Sequence, residues 1–287
     1  MPFALLVLSL LLQTGPLVTP GAAPPIKLPP AIERPRKERP IEGPATKATV
    51  APSRLQACLT QANRDPLAAV DLAEAWRDVV KGTPAVEPNW CLGLAQSRLE
   101  HWNEAAQAFL AGRDAAALSD HALRARLGGM AGNASLAMGD AAGALILLDD
   151  AHAEAVGAAE TQLAGGVALD RARVLVALKQ DAAAVPALAE ARSANPADAY
   201  AWLLSATLSR RMGRLVDAQR QIETAAQLLP VDPEIGVEAG VISVLSGRDE
   251  AARKSWQSVI AAAPDSPSAQ TAKAYLAQLD TPKSSAP

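Results

Sequence analysis

The stretch DAAAVPALAEARSANPADAYAWLLSATLSRRMGRLVDAQRQIETAAQLLPVDPEIGVEAGVISVLSGRDEAARKSWQSVIAAAP, residues 181–264, repeats its pattern at a spacing of 34 residues. Its alanines, prolines, turn glycines and large apolar residues recur at that step, in the sets Ala184, Ala218 and Ala252; Pro196, Pro230 and Pro264; Gly213 and Gly247; and Leu188, Ile222 and Trp256. A fixed period of this length indicates a solenoid of helix–turn–helix units. One such unit cannot bury its own apolar face, so several must stack to form a continuous core.

The middle unit shows how each helix pair begins and ends. Its two helices carry apolar or small residues three or four positions apart, at Trp202, Ala206, Ser209 and Met212 and then at Ala218, Ile222 and Ala225. This spacing places each set on one helix face and predicts that Trp202 is buried. Gly213 suits the turn because glycine tolerates a positive φ. Pro230 ends the second helix, and Asp232 with Pro233 starts the next one as N-cap and first residue.

This pattern resembles the tetratricopeptide repeat family, whose units have an early Trp, a small residue one turn later, a turn Gly, a large apolar residue between two Ala, and a closing Pro. The matching residues here are Trp202, Ala206, Gly213, Ala218, Ile222, Ala225 and Pro230. The next unit departs from the pattern, with Gly236 in place of Trp and Val259 in place of the second Ala. The resemblance implies an all-α protein, a tetratricopeptide-type α-α superhelical solenoid of about five to six helix pairs.

Residues 52–280 are predicted to form the repeat domain. Before the 34-residue period begins, the steps from Ala68 to Ala105 to Ala144 to Ala184 are 37, 39 and 40 residues. The N-terminal units therefore have longer loops or longer helices, and residues 153–166 are the predicted lengthened connection. Asp65 and Pro66 predict a helix start, as do Ser266 and Pro267, whose helix is expected to cap the stack. Residues 281–287 are expected to form a flexible tail.

The first residues predict export. The run FALLVLSLLL is too short to span a bilayer and fits the core of a signal peptide, here residues 1–23. No Lys or Arg precedes the run, so the alternative is an uncleaved anchor that tethers the protein to the inner membrane. Residues 24–51 are dense in proline and predict a disordered linker, or alternatively a ligand for an aromatic-lined groove. The expected location is the periplasm, with no membrane span after signal removal.

Charge and motifs exclude several function classes. The formal net charge is −3 and no helix carries a basic cluster, which argues against nucleic acid as a partner. The three histidines lack a second His or a Cys at metal-ligand spacing, and no nucleophile elbow or phosphate-binding loop is present. We therefore predict no catalytic, cofactor-binding or metal site. An enzyme hidden in long loops would instead require titratable residues clustered in one cleft.

Cys58 and Cys91 are the only two cysteines, and they fall on the first helices of the first two units. In an oxidising compartment this placement favours a disulfide between neighbouring helices. The alternative is that both are small buried apolar residues.

The resemblance also implies a binding face. In the family, the first helices of successive repeats line a concave groove that holds an extended peptide or a partner helix. By repeat phase the groove residues here are Trp90, Leu94, Asn133, Arg173, Tyr200, Thr207 and Arg211, with Arg126 and Arg210 beside them. The family's Lys and Asn clamp for a C-terminal carboxylate is absent, since only Asn133 fits it. The alternative is that these are ordinary surface residues.

Together these observations predict a non-catalytic interaction module or scaffold of the bacterial cell envelope that binds a protein or peptide partner. The alternative is a helical accessory domain of an envelope polysaccharide or cell-wall biogenesis complex.

Overall fold

The computed structural model describes residues 52–280, and among these residues it contains thirteen α-helices, one 3₁₀ turn and no β-strand. Twelve helices form six consecutive antiparallel pairs, and the thirteenth stands last without a second helix. This confirms the predicted all-α solenoid of about five to six helix pairs. The predicted signal peptide (1–23), linker (24–51) and tail (281–287) lie outside the described residues.

Each pair consists of a first helix and a second helix joined by a short turn. The first helices are α1 (Arg54–Arg64), α3 (Val86–Arg98), α5 (His121–Ala137), α7 (Thr161–Ala177), α9 (Ala199–Arg211) and α11 (Pro233–Leu245), followed by α13 (Pro267–Asp280). The second helices are α2 (Pro66–Asp78), α4 (Trp102–Ala115), α6 (Ala141–Gly157), α8 (Asp181–Ala194), α10 (Leu215–Leu228) and α12 (Asp249–Ala262). The 3₁₀ turn, Thr83–Ala85, precedes α3.

The predicted helix starts are confirmed by their side-chain caps. The Asp65 carboxylate accepts a hydrogen bond from the Ala68 amide at 3.1 Å, with Pro66 as the first residue of α2. The Asp232 carboxylate accepts from the Glu234 and Ile235 amides, each at 3.0 Å, with Pro233 following it. These caps satisfy amides that would otherwise have no partner at the start of the helix.

The turns within the pairs place one residue in the left-handed region. Gly213, with φ of 73°, is one of them, and the Arg214 amide closes the turn on the Ser209 carbonyl at 2.8 Å. Lys179 adopts φ of 60° with the same closure, from the Gln180 amide to the Leu175 carbonyl at 2.8 Å. The turn geometry is therefore set by the helix-ending hydrogen bonds, and the residue type follows it only in part.

The predicted lengthened connection at residues 153–166 is wrong. Helix α6 continues to Gly157 and α7 begins at Thr161, so only a short turn separates them. The extra residues of the longer units lie in the helices themselves, because α5, α6 and α7 each have 17 residues whereas α9 has 13 and α10 has 14. Alanine-rich sequence favours such extension, since alanine is the best helix former.

Close packing within each pair rests on a small residue that faces a large residue 16 positions later. These combinations are Gly93 with Phe109, Gly132 with Leu148, Ala172 with Leu188, Ala206 with Ile222, and Gly240 with Trp256. A β-carbon at Gly240 would lie 2.1 Å from Trp256 Nε1, and one at Gly93 would lie 2.5 Å from Phe109 Cδ1. The two aromatic members therefore need glycine opposite them, while Leu and Ile tolerate alanine.

The prediction that Trp202 is buried is corrected. Trp202 is only half-buried, at the edge of the core formed by α9, α10 and α11, and its indole N–H donates to the Pro196 carbonyl at 2.9 Å. The Arg192 guanidinium lies over its ring at 4.9 Å from the centroid. The tryptophan at the centre of its unit is Trp256, which is 3% exposed.

The first two units are joined covalently. Cys58 on α1 and Cys91 on α3 are fully buried, their Cα atoms are 6.0 Å apart, and their sulfur atoms form a disulfide. Trp76 and Leu92 pack in the same cluster. The bond links neighbouring first helices rather than the two helices of one pair.

Changing Gly240 to alanine tests the facing pair of small and large residues. In the wild-type background Gly240→Ala should lower the free energy of unfolding by about 1–3 kcal/mol, because the new methyl group collides with the Trp256 indole. In a Trp256→Leu background the same change should stabilise the protein by up to about 1 kcal/mol, since alanine favours a helix over glycine. Urea unfolding of the four proteins measures both steps. An equal effect in both backgrounds would contradict the pairing.

Reducing the disulfide should destabilise the N-terminal end of the stack. The closed loop has 34 residues, counted from Cys58 to Cys91 inclusively, so the loss is expected to be about 3–4 kcal/mol. Non-reducing peptide mass spectrometry should find one intramolecular bridge, and reductant should lower the melting temperature by several degrees. A Cys58→Ala, Cys91→Ala double variant is the control, because its melting temperature should not respond to reductant. Two alkylatable thiols in protein purified without reductant would contradict this expectation.

Candidate functional site

The candidate site lies on the surface formed by the first helices α5, α7, α9, α11 and α13, which we call the first-helix face. Neighbouring members α5 and α7, α9 and α11, and α11 and α13 are in contact. The second helices lie behind them, so the side chains between first helices rest on a floor of second-helix residues.

One cavity of about 150 Å³ opens between α7 and α9, and we call it the α7–α9 cavity. Its walls are apolar, formed by Ala172, Val176, Leu188, Leu204 and Leu208. Three of the predicted groove residues line the same cavity, namely Arg173, Thr207 and Arg211. Phase alone therefore located residues that come together in three dimensions.

A second cavity, the α9–α11 cavity, lies one helix further along the face and has a volume of about 350 Å³. Its lining consists of Leu203, Leu204, Thr207, Glu234, Val237, Glu238, Pro267, Ser268 and Thr271. Leu204 and Thr207 line both cavities. The two cavities are thus neighbours that share one wall.

The polar residues at the α7–α9 cavity are basic on the outside and acidic beneath. The Arg173 guanidinium contacts Asp170 at 2.6 Å, and Arg211 contacts Asp181 at 3.1 Å. The side chains of Arg173 and Arg211 are 43% and 37% exposed, whereas those of Asp170 and Asp181 are 19% and 28% exposed. Each guanidinium has five N–H donors, so further donors remain for a ligand.

The α9–α11 cavity has acidic residues instead. Glu238 is held by Arg210 through two hydrogen bonds of 2.6 and 3.2 Å, and its side chain is 12% exposed. Glu234 is exposed, and its carboxylate forms no ion pair with any residue from 52 to 280. Glu234 therefore supplies the accessible negative charge at this cavity.

The remaining polar groove residues bridge successive units. The Asn133 amide on α5 donates to Asp170 on α7 at 2.7 Å. The Tyr200 hydroxyl on α9 donates to Asp232, the N-cap of α11, at 2.9 Å. This hydrogen bond, together with the negative charge of Asp232, raises the pKa of the Tyr200 phenol. Tyr200 is 42% exposed, so its ring remains accessible beside the cavities.

Trp90 and Leu94 lie apart from the two cavities. Trp90 packs against the cluster that contains Val86 and Phe109, and Leu94 packs against Ala62 on α1 and the helices beside it. Both side chains are half-buried between neighbouring helices. Their packing joins the first three units, whereas the cavities belong to the C-terminal half.

Sequence reasoning missed Leu204, Asp170 and Glu234. Leu204 stands 34 residues after Asp170 and 34 before Glu238, so repeat phase places all three at one position of the first helix. A search for every first-helix position that faces this surface would have found them. The sequence search followed polar and aromatic residues and passed over the apolar wall.

The described residues contain no group of three or more His, Cys, Asp or Glu side chains placed to hold a metal ion. Within residues 52–280, no helix is both long and apolar enough to cross a membrane.

Comparisons with solved structures identify the fold. The chain is similar to pilF of Pseudomonas aeruginosa, with 14% identity, coverage of 77% of this chain and 95% of that chain, and a TM-score of 0.63. It is similar to MamA of Desulfovibrio magneticus RS-1, with 18% identity, coverage of 68% and 97%, and a TM-score of 0.52. YrrB, described as a TPR protein with an unusual peptide-binding site, has 21% identity, coverage of 65% and 91%, and a TM-score of 0.50.

In sequence, no protein-family profile and no curated protein matches the chain. The structural likeness, at these identities, establishes the fold. The chain has the tetratricopeptide repeat fold that its 34-residue period predicts.

Removing the Asp170 carboxylate tests whether the polar contacts hold the first helices together. Asp170→Ala deletes the acceptor for both Asn133 and Arg173 and should lower the free energy of unfolding by about 1–2 kcal/mol. Glu74→Ala is the matched control, because Glu74 contacts only Arg77 across 4.0 Å on an exposed surface and should cost less than about 0.5 kcal/mol. Urea unfolding measures both variants. Equal losses would show that Asp170 does not connect the units.

Proposed function

We propose that this chain, which has the tetratricopeptide repeat fold, is an exported, non-catalytic interaction module of the bacterial cell envelope. Its partner is a protein or peptide that binds on the first-helix face, across the α7–α9 and α9–α11 cavities. One observation carries this proposal: two apolar cavities with charged rims lie side by side on that face and share the wall formed by Leu204 and Thr207.

The composition of the two cavities suits a peptide. Recognition sites for peptides combine apolar pockets for side chains with a few polar groups that set specificity. Here the pockets are walled by leucine, valine and alanine, and arginine and glutamate stand at their rims. YrrB, a structural neighbour, carries a peptide-binding site, which supports the same use of the fold in this chain.

Two features support an envelope location. The apolar run at residues 3–12 fits a signal peptide, and the Cys58–Cys91 disulfide is of a kind that persists in oxidising compartments such as the periplasm. Removal of the signal would leave the repeat domain free in that compartment.

Site-specific photo-crosslinking tests both partner binding and its location. A photoreactive phenylalanine analogue in place of Thr207, between the two cavities, should crosslink to a discrete protein in intact cells. The same analogue in place of Gln257, exposed on the second helix α12, is the control and should give no such product. Crosslinked species should appear in the periplasmic fraction and survive in protein with a processed N-terminus.

Two results would overturn the proposal. Crosslinks from position 257 but none from 207 would move the binding face to the second helices. A protein that stays in the cytoplasm with free thiols would remove the envelope assignment while leaving the interaction role open.

A further inference from the structure

We propose that the occupant of the first-helix face is a polyproline-II segment with apolar residues at positions i and i+3, an acidic residue beside one anchor and a basic residue beside the other. The inference rests on the proposed function and adds the chemistry and spacing of the partner. It depends on cavity size, on the spacing of the two cavities and on the different charges at their rims.

Cavity size sets the first anchor. A cavity of about 150 Å³ with apolar walls accommodates a single benzene-sized group. The α7–α9 cavity therefore takes one phenylalanine or leucine side chain. The α9–α11 cavity is larger, about 350 Å³, and accepts a second apolar side chain of the same size with room to spare.

Helix spacing sets the separation of the anchors. The cavities lie on either side of α9, so their centres are separated by about one interhelical distance, roughly 8–10 Å. A polyproline-II chain has three residues per turn and rises about 3.1 Å per residue, so residues i and i+3 point the same way about 9.3 Å apart. In an extended β-strand, side chains at i and i+3 point to opposite sides. The polyproline-II conformation therefore matches both cavities and the strand does not.

Charge at the α7–α9 cavity favours an acidic neighbour for its anchor. The guanidinium groups of Arg173 and Arg211 are more exposed than the carboxylates they contact, and each keeps unused donors. A carboxylate beside the anchor can accept hydrogen bonds from both without displacing Asp170 or Asp181. A basic residue at this position would face two cations.

Charge at the α9–α11 cavity favours a basic neighbour. The Glu238 carboxylate is already held by Arg210, but the exposed Glu234 carboxylate pairs with no cation among the described residues. A lysine or arginine beside the second anchor would supply one. The two cavities thus distinguish the ends of a segment by charge, whichever way the chain runs.

Short blocked peptides test this proposal. The probe is fluorescein-labelled GDFPPLKG with an amidated C-terminus, in which F and L stand three positions apart with D and K beside them. Two controls change only charge, GDFPPLDG and GKFPPLKG, and one changes only spacing, GDFPPPLKG. By fluorescence anisotropy on the full chain at low salt, each control is expected to bind about fivefold more weakly than the probe.

Charge exchange on the protein gives the decisive comparison. Glu234→Lys replaces an exposed side chain that has no ion-pair partner, so the fold should persist, and this variant should prefer GDFPPLDG over the probe. Arg173→Glu with Arg211→Glu should prefer GKFPPLKG, provided that its circular dichroism matches wild type. Thr207→Trp fills the wall shared by both cavities and should abolish binding of every peptide.

Equal affinity for all four peptides, or an unchanged preference in Glu234→Lys, would overturn the motif. Failure of every peptide to bind, while photo-crosslinking from position 207 still captures a partner, would also reject the motif and leave the proposed function standing. If crosslinking from position 207 fails as well, the proposed function itself is wrong.

Discussion

The structure depends on one steric constraint within each helix pair: a small residue on the first helix must face a large residue 16 positions later on the second helix. Gly240 admits the Trp256 indole, and Gly93 admits the Phe109 ring, at distances that no β-carbon could occupy. Protein interiors are packed at crystal-like density, so this contact sets how closely the two helices approach. With the pair geometry set in this way, successive units can stack with the same surface exposed.

The cavities follow from how those units stack. Helix α7 has 17 residues and α9 has 13, so the α7–α9 cavity lies where the longer units of the N-terminal half meet the shorter units of the C-terminal half. Neighbouring units of different length cannot bury each other's side chains completely. The residues left uncovered there, Val176 and Leu204 among them, form an apolar wall that is accessible to a ligand.

Polar contacts on the same face hold the units in register. Asn133 reaches Asp170, Tyr200 reaches Asp232, and Arg210 reaches Glu238, and each contact joins one unit to the next. Such exposed or half-buried pairs contribute little stability individually. Their effect is to orient the rims of the cavities, so that guanidinium groups face outward at one cavity and a free carboxylate faces outward at the next.

The sequence alone determined the repeat and its internal order. The 34-residue period, the helix starts at Asp65 and Asp232 and the turn at Gly213 are local features, set by steric preference and by hydrogen bonds between residues close in the chain. Repeat phase also placed Arg173, Thr207 and Arg211 on one face, since residues at matching positions of stacked units share a surface.

Only the tertiary structure decided which of these positions form a site. Whether Trp202 or Trp256 occupies a core, whether extra residues lengthen a helix or a loop, and which arginine remains exposed all depend on contacts between units more than 25 residues apart. Those contacts arise from the packing of whole helices. The period of a sequence records which residues are equivalent, but the accessibility of each one is determined by the size of its neighbours in the stack.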